Sequence, residues 1–306
     1  MPVPVETLVR GVGWLALAIV AGSIAFNTLA YVGAALHRRR HPSGCAFADD
    51  DEPPWPARTL AALRAFAVEC AVTALLAVTF PFSLRRQRIQ PFDDRVHRRP
   101  VVFLHGYAQH SANFLWLARR LRRDGWLHLY SVRHTAAWGD IERSGQRLGE
   151  ALDRILRESG ATSLDIVAHS MGGLVARACL RARGRSGVAR LITLGTPHQG
   201  TEAFRWLGRE PMIAQMRVGS ALVRGLGADD PVPSLVECTA IYSLDDALVV
   251  PGSHGYYPGA FNVEVRGLGH ASLLFSRRVY GLVRENLAAG SAGVPATGAE
   301  PAGARG

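Results

Sequence analysis

The chain has 306 residues, 48% of them apolar and 20% charged, which is enough for a buried core in one or two domains and too apolar for a disordered chain. The formal net charge is +10 and all 35 basic residues are arginines, yet no aromatic–basic stripe or nucleic-acid motif accompanies them, which excludes a nucleic-acid partner. The four cysteines (Cys45, Cys70, Cys179, Cys238) are scattered with no C-x-x-C pair, so neither a metal site nor a disulfide framework is expected.

Taken in chain order, the first element is an uncharged run from Gly11 to Leu36. As a helix it reaches ~39 Å at 1.5 Å per residue, enough to cross a ~30 Å hydrocarbon core with tilt. A cleaved signal peptide is the rival reading and fits poorly. The apolar run is long, only Arg10 marks a basic start, and Arg38, Arg39 and Arg40 stand where a cleavage region would lie. Residues 37–59 are polar, include Asp49-Asp50-Asp51-Glu52-Pro53-Pro54, and read as a loop. A second apolar run, Ala65 to Leu84, is broken only by Glu69 and reads as a second span, an interfacial helix or a buried core helix. An ionisable residue there is a functional signal, but no partner for it is visible in the sequence. Arginines follow both runs, and their bias leans towards placing the rest of the chain in the cytoplasm.

From Arg99 the pattern changes to alternating strands and helices. Val101–Leu104, Leu127–Val132, Leu164–Ala168, Leu191–Leu194, Ala240–Ser243 and Asn262–Val265 suit buried parallel strands. Asp140 caps a helix whose apolar face is Ile141, Leu148, Leu152, Ile155 and Leu156, and Gly160 ends it. The predicted class is α/β: a doubly wound, mostly parallel sheet of about six strands behind one or two membrane helices. The expected division is a membrane region over 1–98 (helices about 11–36 and 65–84), a catalytic domain over 99–288 and a disordered tail over 289–306, rich in Gly, Ala and Pro.

The strand at Leu164 runs into Ala168-His169-Ser170-Met171-Gly172-Gly173. This A-x-S-x-G is a mild departure from the G-x-S-x-G strand–turn–helix pattern that lifts a serine to a helix N-terminus. Ser170 is the candidate nucleophile. The backbone N–H of Met171 is one candidate oxyanion donor, and that of Tyr107, after the strand end His105-Gly106, is the second. His105 reads as structural. An acid and then a base must follow the serine. Asp245 and Asp246 close one strand, and only one of them can orient a histidine. His270, in Gly267-Leu268-Gly269-His270, follows the last strand and is preferred as base over His254, which lies in a Pro/Gly-rich loop.

These segments resemble the small bacterial triacylglycerol lipases of the α/β-hydrolase fold, the minimal lipase A type. The resemblance spans about Arg99 to Leu287. It rests on A-H-S-M-G-G at the elbow, on Ile241-Tyr242-Ser243 running to Asp246 and Val249, on G-x-G-H before a leucine-containing helix, and on His105-Gly106. It implies the α/β-hydrolase fold, a Ser170–Asp246–His270 triad with Tyr107 and Met171 as oxyanion donors, Asp246 rather than Asp245 as the acid, and hydrolysis of lipid or other acyl esters without a cofactor. Thr196-Pro197-His198-Gln199-Gly200 resembles a structural loop of larger bacterial lipases. The membrane segments depart from that secreted family, no calcium-binding loop is evident, and residues 201–233 are longer than a minimal lipase needs. Their apolar content (Trp206, Leu207, Met212, Ile213, Met216, Leu222, Val223, Leu226) suits a lid or acyl-chain wall, or a helix packed on the sheet edge. Thioester hydrolysis, acyl transfer and a non-catalytic membrane-bound binding protein on the same scaffold are the rival functions.

Overall fold

A computed structural model describes residues 5–41, 55–81, 98–133, 140–185, 187–203, 210–227 and 229–289. The six strand runs form one parallel sheet of β1 (Val101–Leu104), β2 (Leu129–Val132), β3 (Leu164–His169), β4 (Val188–Leu194), β5 (Glu237–Ser243) and β6 (Phe261–Val265), in the order β2-β1-β3-β4-β5-β6. Every residue of β1 and β3 is buried, as expected where helices cover both faces. Val101 stands opposite Leu129 on one side and Asp165 on the other. The chain runs from β1 out to β2 and returns past β1 to β3, so the strand order reverses between β1 and β3. A ligand crevice is expected at the carboxyl ends that flank such a reversal. His105 is the first residue past β1, and Ser170 the first past β3.

The helices among the described residues are α1 (Val5–Arg40), α2 (Trp55–Thr79), α3 (Leu115–Arg123), α4 (Ile141–Ser159), α5 (Met171–Arg183), α6 (Pro211–Gln215), α7 (Ala221–Gly227), α8 (Val232–Leu235) and α9 (Arg277–Ala289). Asp140 caps α4 by accepting a hydrogen bond from Arg143 N, and Gly160 closes it at φ 77°. Leu148, Leu152 and Ile155 of α4 pack with Leu174 and Val175 of α5 on one face of the sheet. Leu117 and Leu121 of α3 pack with Val279 and Val283 of α9 on the other. Each such side chain contributes roughly 1.5–3 kcal/mol by leaving water.

The two N-terminal apolar runs are helices long and apolar enough, by length and composition, to cross a membrane. They are longer at their facing ends than the sequence reading has them, because Arg38 to Arg40 continue α1 and α2 begins at Trp55; residues 37–40 and 55–59, read as loop, are helical. The acidic Asp49–Pro54 stretch, Cys45, Leu84, the arginines at 85–95 and the tail from residue 290 lie outside the described residues. The helices pair side by side. Asn27 Nδ2 donates to Thr73 Oγ1 at 3.2 Å and to Ser23 O at 2.9 Å, and Tyr31 meets Phe66 edge to face. In apolar surroundings such hydrogen-bonded polar side chains hold helices together.

A buried ion pair ties α5 to the loops beyond it. Arg177 Nε and Nη2 donate to Asp230 Oδ2 at 3.0 and 2.8 Å, and Nη1 donates to His198 O at 3.0 Å. Tyr257 donates its hydroxyl to the same Asp230 oxygen at 2.8 Å and stacks on His198. His198 therefore belongs to a structural loop, as its segment suggested. Burial presses its pKa well below the usual histidine value, and the Arg177 charge adds to that effect. Removing the guanidinium leaves the Asp230 carboxylate buried and unpaired. Arg177→Ala is expected to lose about 3–5 kcal/mol in chemical denaturation, and the double change Arg177→Met with Asp230→Leu distinctly less.

Candidate active site

The serine turn is strained. Ser170 sits at φ 56°, ψ −130°, between the last residue of β3 and the first of α5. A side-chain-bearing residue there costs about 1–3 kcal/mol and persists only where its surroundings hold it. Here Ser170 N donates to Leu194 O of β4 at 2.9 Å, and Ser170 O accepts from Gly173 N at 3.0 Å and Thr196 Oγ1 at 2.9 Å. A methyl group on Gly172 would stand 2.6 Å from Leu104 O and 2.8 Å from His105 O, so α5 approaches the end of β1 as closely as it does only because residue 172 lacks a side chain.

Asp246 and His270 meet at the ends of β5 and β6. Asp246 Oδ2 lies 2.7 Å from His270 Nδ1, while Asp246 Oδ1 accepts from Leu248 N at 2.8 Å and Val249 N at 3.0 Å. Asp245 points elsewhere: its Oδ2 accepts from Gly267 N at 2.6 Å and so closes the turn after β6. The division between the two neighbouring carboxylates follows from these partners. Burial pulls the His270 pKa down, but the charge and hydrogen bond of Asp246, and then the charge of Glu69, outweigh it and leave the pKa raised.

Ser170 and His270 open on one cavity of about 570 Å³, which Tyr107 and Ala108 also line. Tyr107 follows Gly106, whose hypothetical methyl would lie 2.8 Å from Ser170 Cβ, so the loop presses directly on the serine. Ala108 is also at positive φ, 50°. Met171 N–H is the first of α5, where a helix supplies no intrahelical acceptor. His105 is buried with Nδ1 3.0 Å from Gly106 O, and His254 Nδ1 lies 3.0 Å from Gly200 O; both hold loops. Within 201–233, Ile213 and Met216 line the cavity while Leu222 and Leu226 join the core, so the segment is at once wall and packing. Trp206 and Leu207 lie outside the described residues.

Three groups at this site escaped sequence reasoning. Gln109 Oε1 accepts from Gly106 N at 2.8 Å and lies 2.9 Å from His169 Nδ1. His169 Nε2 in turn lies 3.0 Å from the carbonyl of His270. Burial presses the His169 pKa well down, and the nearby His270 adds to this. No local pattern marks either residue. The third is Glu69 of α2, whose carboxylate accepts from Ala271 N and Ser272 N, directly after His270. Its signal was present as a lone carboxylate in an apolar helix, but its partner was not.

Comparisons with known proteins bear on the fold that carries these residues. The family model of palmitoyl protein thioesterase matches residues 100–251, a span that includes Ser170 and Asp246 and stops short of His270. A triacylglycerol lipase of Pseudarthrobacter phenanthrenivorans is 38% identical over 112 residues, which are 34% of this chain and 35% of that protein. A triacylglycerol lipase of Burkholderia plantarii is 38% identical over 112 residues, 34% of this chain and 31% of that one. The matched segment is thus about a third of the length of these curated relatives. Among solved structures, mature Bacillus licheniformis lipase BlEst2 superposes with a TM-score of 0.55 at 17% identity, covering 66% of this chain and 96% of that one. Aspergillus fumigatus lipase B does so with a TM-score of 0.54 at 17% identity, covering 62% of this chain and 52% of that one. The fold is that of the α/β-hydrolases. Because residue 172 abuts backbone rather than flexible side chains, Gly172→Ala is expected to destabilise the fold by about 1–3 kcal/mol in chemical denaturation and to widen the gap between α5 and β1.

Proposed function

We propose that the chain, whose fold is that of the α/β-hydrolases, is a serine ester hydrolase of the lipase and esterase kind acting through Ser170, Asp246 and His270. The observation that carries the reading is the convergence of a strained serine and an Asp246-bound imidazole on one cavity. In this reading His270 Nε2 takes the Ser170 proton as Oγ attacks the acyl carbonyl. The N–H groups of Tyr107 and Met171 hold the resulting oxyanion, and Asp246 fixes the imidazole tautomer and stabilises its cation. The imidazolium then protonates the departing alcohol. Water, deprotonated by the same imidazole, releases the acid and restores Ser170.

The substrate side is read from the walls. The cavity is lined largely by apolar residues, among them Phe26, Leu76 and Phe80 from the N-terminal segment and Ile213 and Met216 opposite, which suits an acyl chain. We place the chain at a membrane, with 1–98 as its membrane region, 99–288 as the catalytic domain and 289–306 as a tail, the catalytic domain on the cytoplasmic side by the arginine bias. The support is where large apolar side chains meet solvent: ten on α1 (Val12 to Leu36) and five on α2 (Leu60 to Val78), against four (Leu127, Val218, Tyr256, Phe261) among the described residues from 98 onward. A thioester substrate is the second reading, favoured by the palmitoyl protein thioesterase match.

Ser170→Ala is expected to lose ~10⁴-fold or more in turnover of p-nitrophenyl esters while remaining folded, and retained turnover would end the assignment. Asp246→Asn should approach that loss and Asp245→Asn fall far short of it; the reverse ranking would reassign the acid. Turnover compared across triglyceride, phospholipid, short esters and acyl-CoA separates ester from thioester preference. The base must be neutral to act, so kcat/KM falls as pH drops through the His270 pKa. Because that pKa is raised, the fall should begin above the pH at which free imidazole protonates, which a pH profile of the full chain would show.

A further inference from the structure

We propose that Glu69 is a positioning residue for His270, which makes α2 a working part of the hydrolytic centre as well as an anchor. The proposal rests on the reading of Ser170, Asp246 and His270 given above. Glu69 is 3% exposed, near the middle of an apolar helix. A carboxylate in such a place is very unfavourable unless it is hydrogen-bonded. Its bonds go to the backbone of the histidine loop: Oε1 accepts from Ala271 N at 2.5 Å and Oε2 from Ser272 N at 2.9 Å. Two charge-assisted bonds in a forked geometry fix orientation as well as distance.

The loop is thereby gripped from three sides. Asp246 holds the imidazole at Nδ1, His169 meets the His270 carbonyl, and Glu69 holds the next two N–H groups. Gly269 belongs to the same contact. A methyl there would lie 2.6 Å from Glu69 Oε2 and 2.8 Å from Tyr31 Oη of α1, so the second glycine of G-x-G-H makes room for the helical pair in this chain. Two turns beyond Glu69, the backbone carbonyl of Leu76 lies 2.9 Å from His110 Nε2, on the loop that follows Tyr107. Thus α2 touches the loops of both the base and the oxyanion donor. A small displacement of a base by its support can cost about 10²-fold, so the grip bears on rate rather than on binding alone.

The test uses the full chain in detergent micelles with p-nitrophenyl butyrate, whose short chain asks little of the apolar wall. Glu69→Gln keeps the shape and one acceptor oxygen but places an amide against the other N–H. It should lower kcat about 10-fold or more with little change in KM, and Glu69→Ala should lower it further. The charged and titratable groups facing His270 are Asp246 from the β5 end, His169 from the β3 end and Glu69 from α2, with Tyr31 of α1 behind. Removing the Glu69 charge should move the acid limb of kcat/KM to lower pH, which mere docking of the helix would not do once folding is intact. Asn27→Ala, which loosens the α1–α2 contact at Thr73 without touching the histidine loop, should leave kcat and the pH profile unchanged. Wild-type kcat and pH profile in both Glu69 variants, with Ser170→Ala inactive, would overturn the proposal and leave the hydrolase reading standing. Activity surviving in Ser170→Ala would instead sink that reading. Equal loss of folded protein in Glu69→Gln, Glu69→Ala and Asn27→Ala would make Glu69 a structural contact and also overturn the proposal.

Discussion

A backbone that cannot hold itself is the constraint on which the rest of this molecule depends. Ser170, with a side chain at φ 56°, would relax if its neighbours allowed it. Its N–H is held by β4 and its carbonyl by Thr196. Thr196 opens the loop that carries His198, and His198 is held in turn by Arg177 of α5. That is the helix which the serine turn begins. The strain is therefore supported by a closed ring of contacts: turn, loop, buried guanidinium and back to the turn. The side chains of the Arg177 network do not line the cavity, yet they secure the turn through the loop after β4. Its full burial is explained by this position, since only a group with fixed hydrogen-bond geometry on several edges can join α5, the loop after β4 and the residues around Asp230 at once.

Much of the site was legible because its constraints are local. A turn that squeezes a serine needs small residues within two or three positions of it, and Ala168, Gly172 and Gly173 announce it. A helix start needs a side-chain acceptor, and Asp140 supplies one. The sheet was legible for a similar reason: strands covered on both faces become near-continuous apolar runs, and β1 reads so throughout while β3 does apart from Asp165 and His169. Strand starts were less legible. β4 begins at Val188 and β5 at Glu237, earlier than the apolar runs, because Val188 already pairs with Leu164 and the charged Arg190 and Glu237 pair with each other on adjacent strands of the ladder. Apolar content marks the middle of a strand, and hydrogen bonding sets its ends.

The choice between Asp245 and Asp246 marks the boundary of what residues alone can decide. Adjacent residues with the same side chain differ in direction, and direction depends on what each meets. Asp246 meets two N–H groups of its own turn and the imidazole, whereas Asp245 meets Gly267 N. The family resemblance selects Asp246 by alignment of motifs, and of the two carboxylates it is the one that lies against the imidazole. Gln109 and His169 had no such aid. A glutamine in a loop and a histidine at a strand end are unremarkable until the fold brings the His270 carbonyl to one of them.

Glu69 shows how periodicity can be right about a face and silent about its purpose. On α2 the buried positions are Ala65, Glu69, Val72 and Leu76, spaced as one stripe of a helix, while Leu60, Leu63, Val68, Leu75 and Val78 point outward. Position 69 is where a leucine would be expected. A leucine would add apolar contact, but it would leave the N–H groups of Ala271 and Ser272 without the partner they have, each at about 1–3 kcal/mol if buried unsatisfied. The carboxylate reverses that balance, at the expense of placing a charge in an apolar helix. The exchange is favourable only while α2 lies against the histidine loop. Undocked in apolar surroundings the same carboxylate would be unsatisfied, so its charge gives α2 a reason to stay seated on the histidine loop. The outward apolar side chains face the other way and leave that contact undisturbed, so one helix presents an apolar surface on one side and holds the histidine loop on the other.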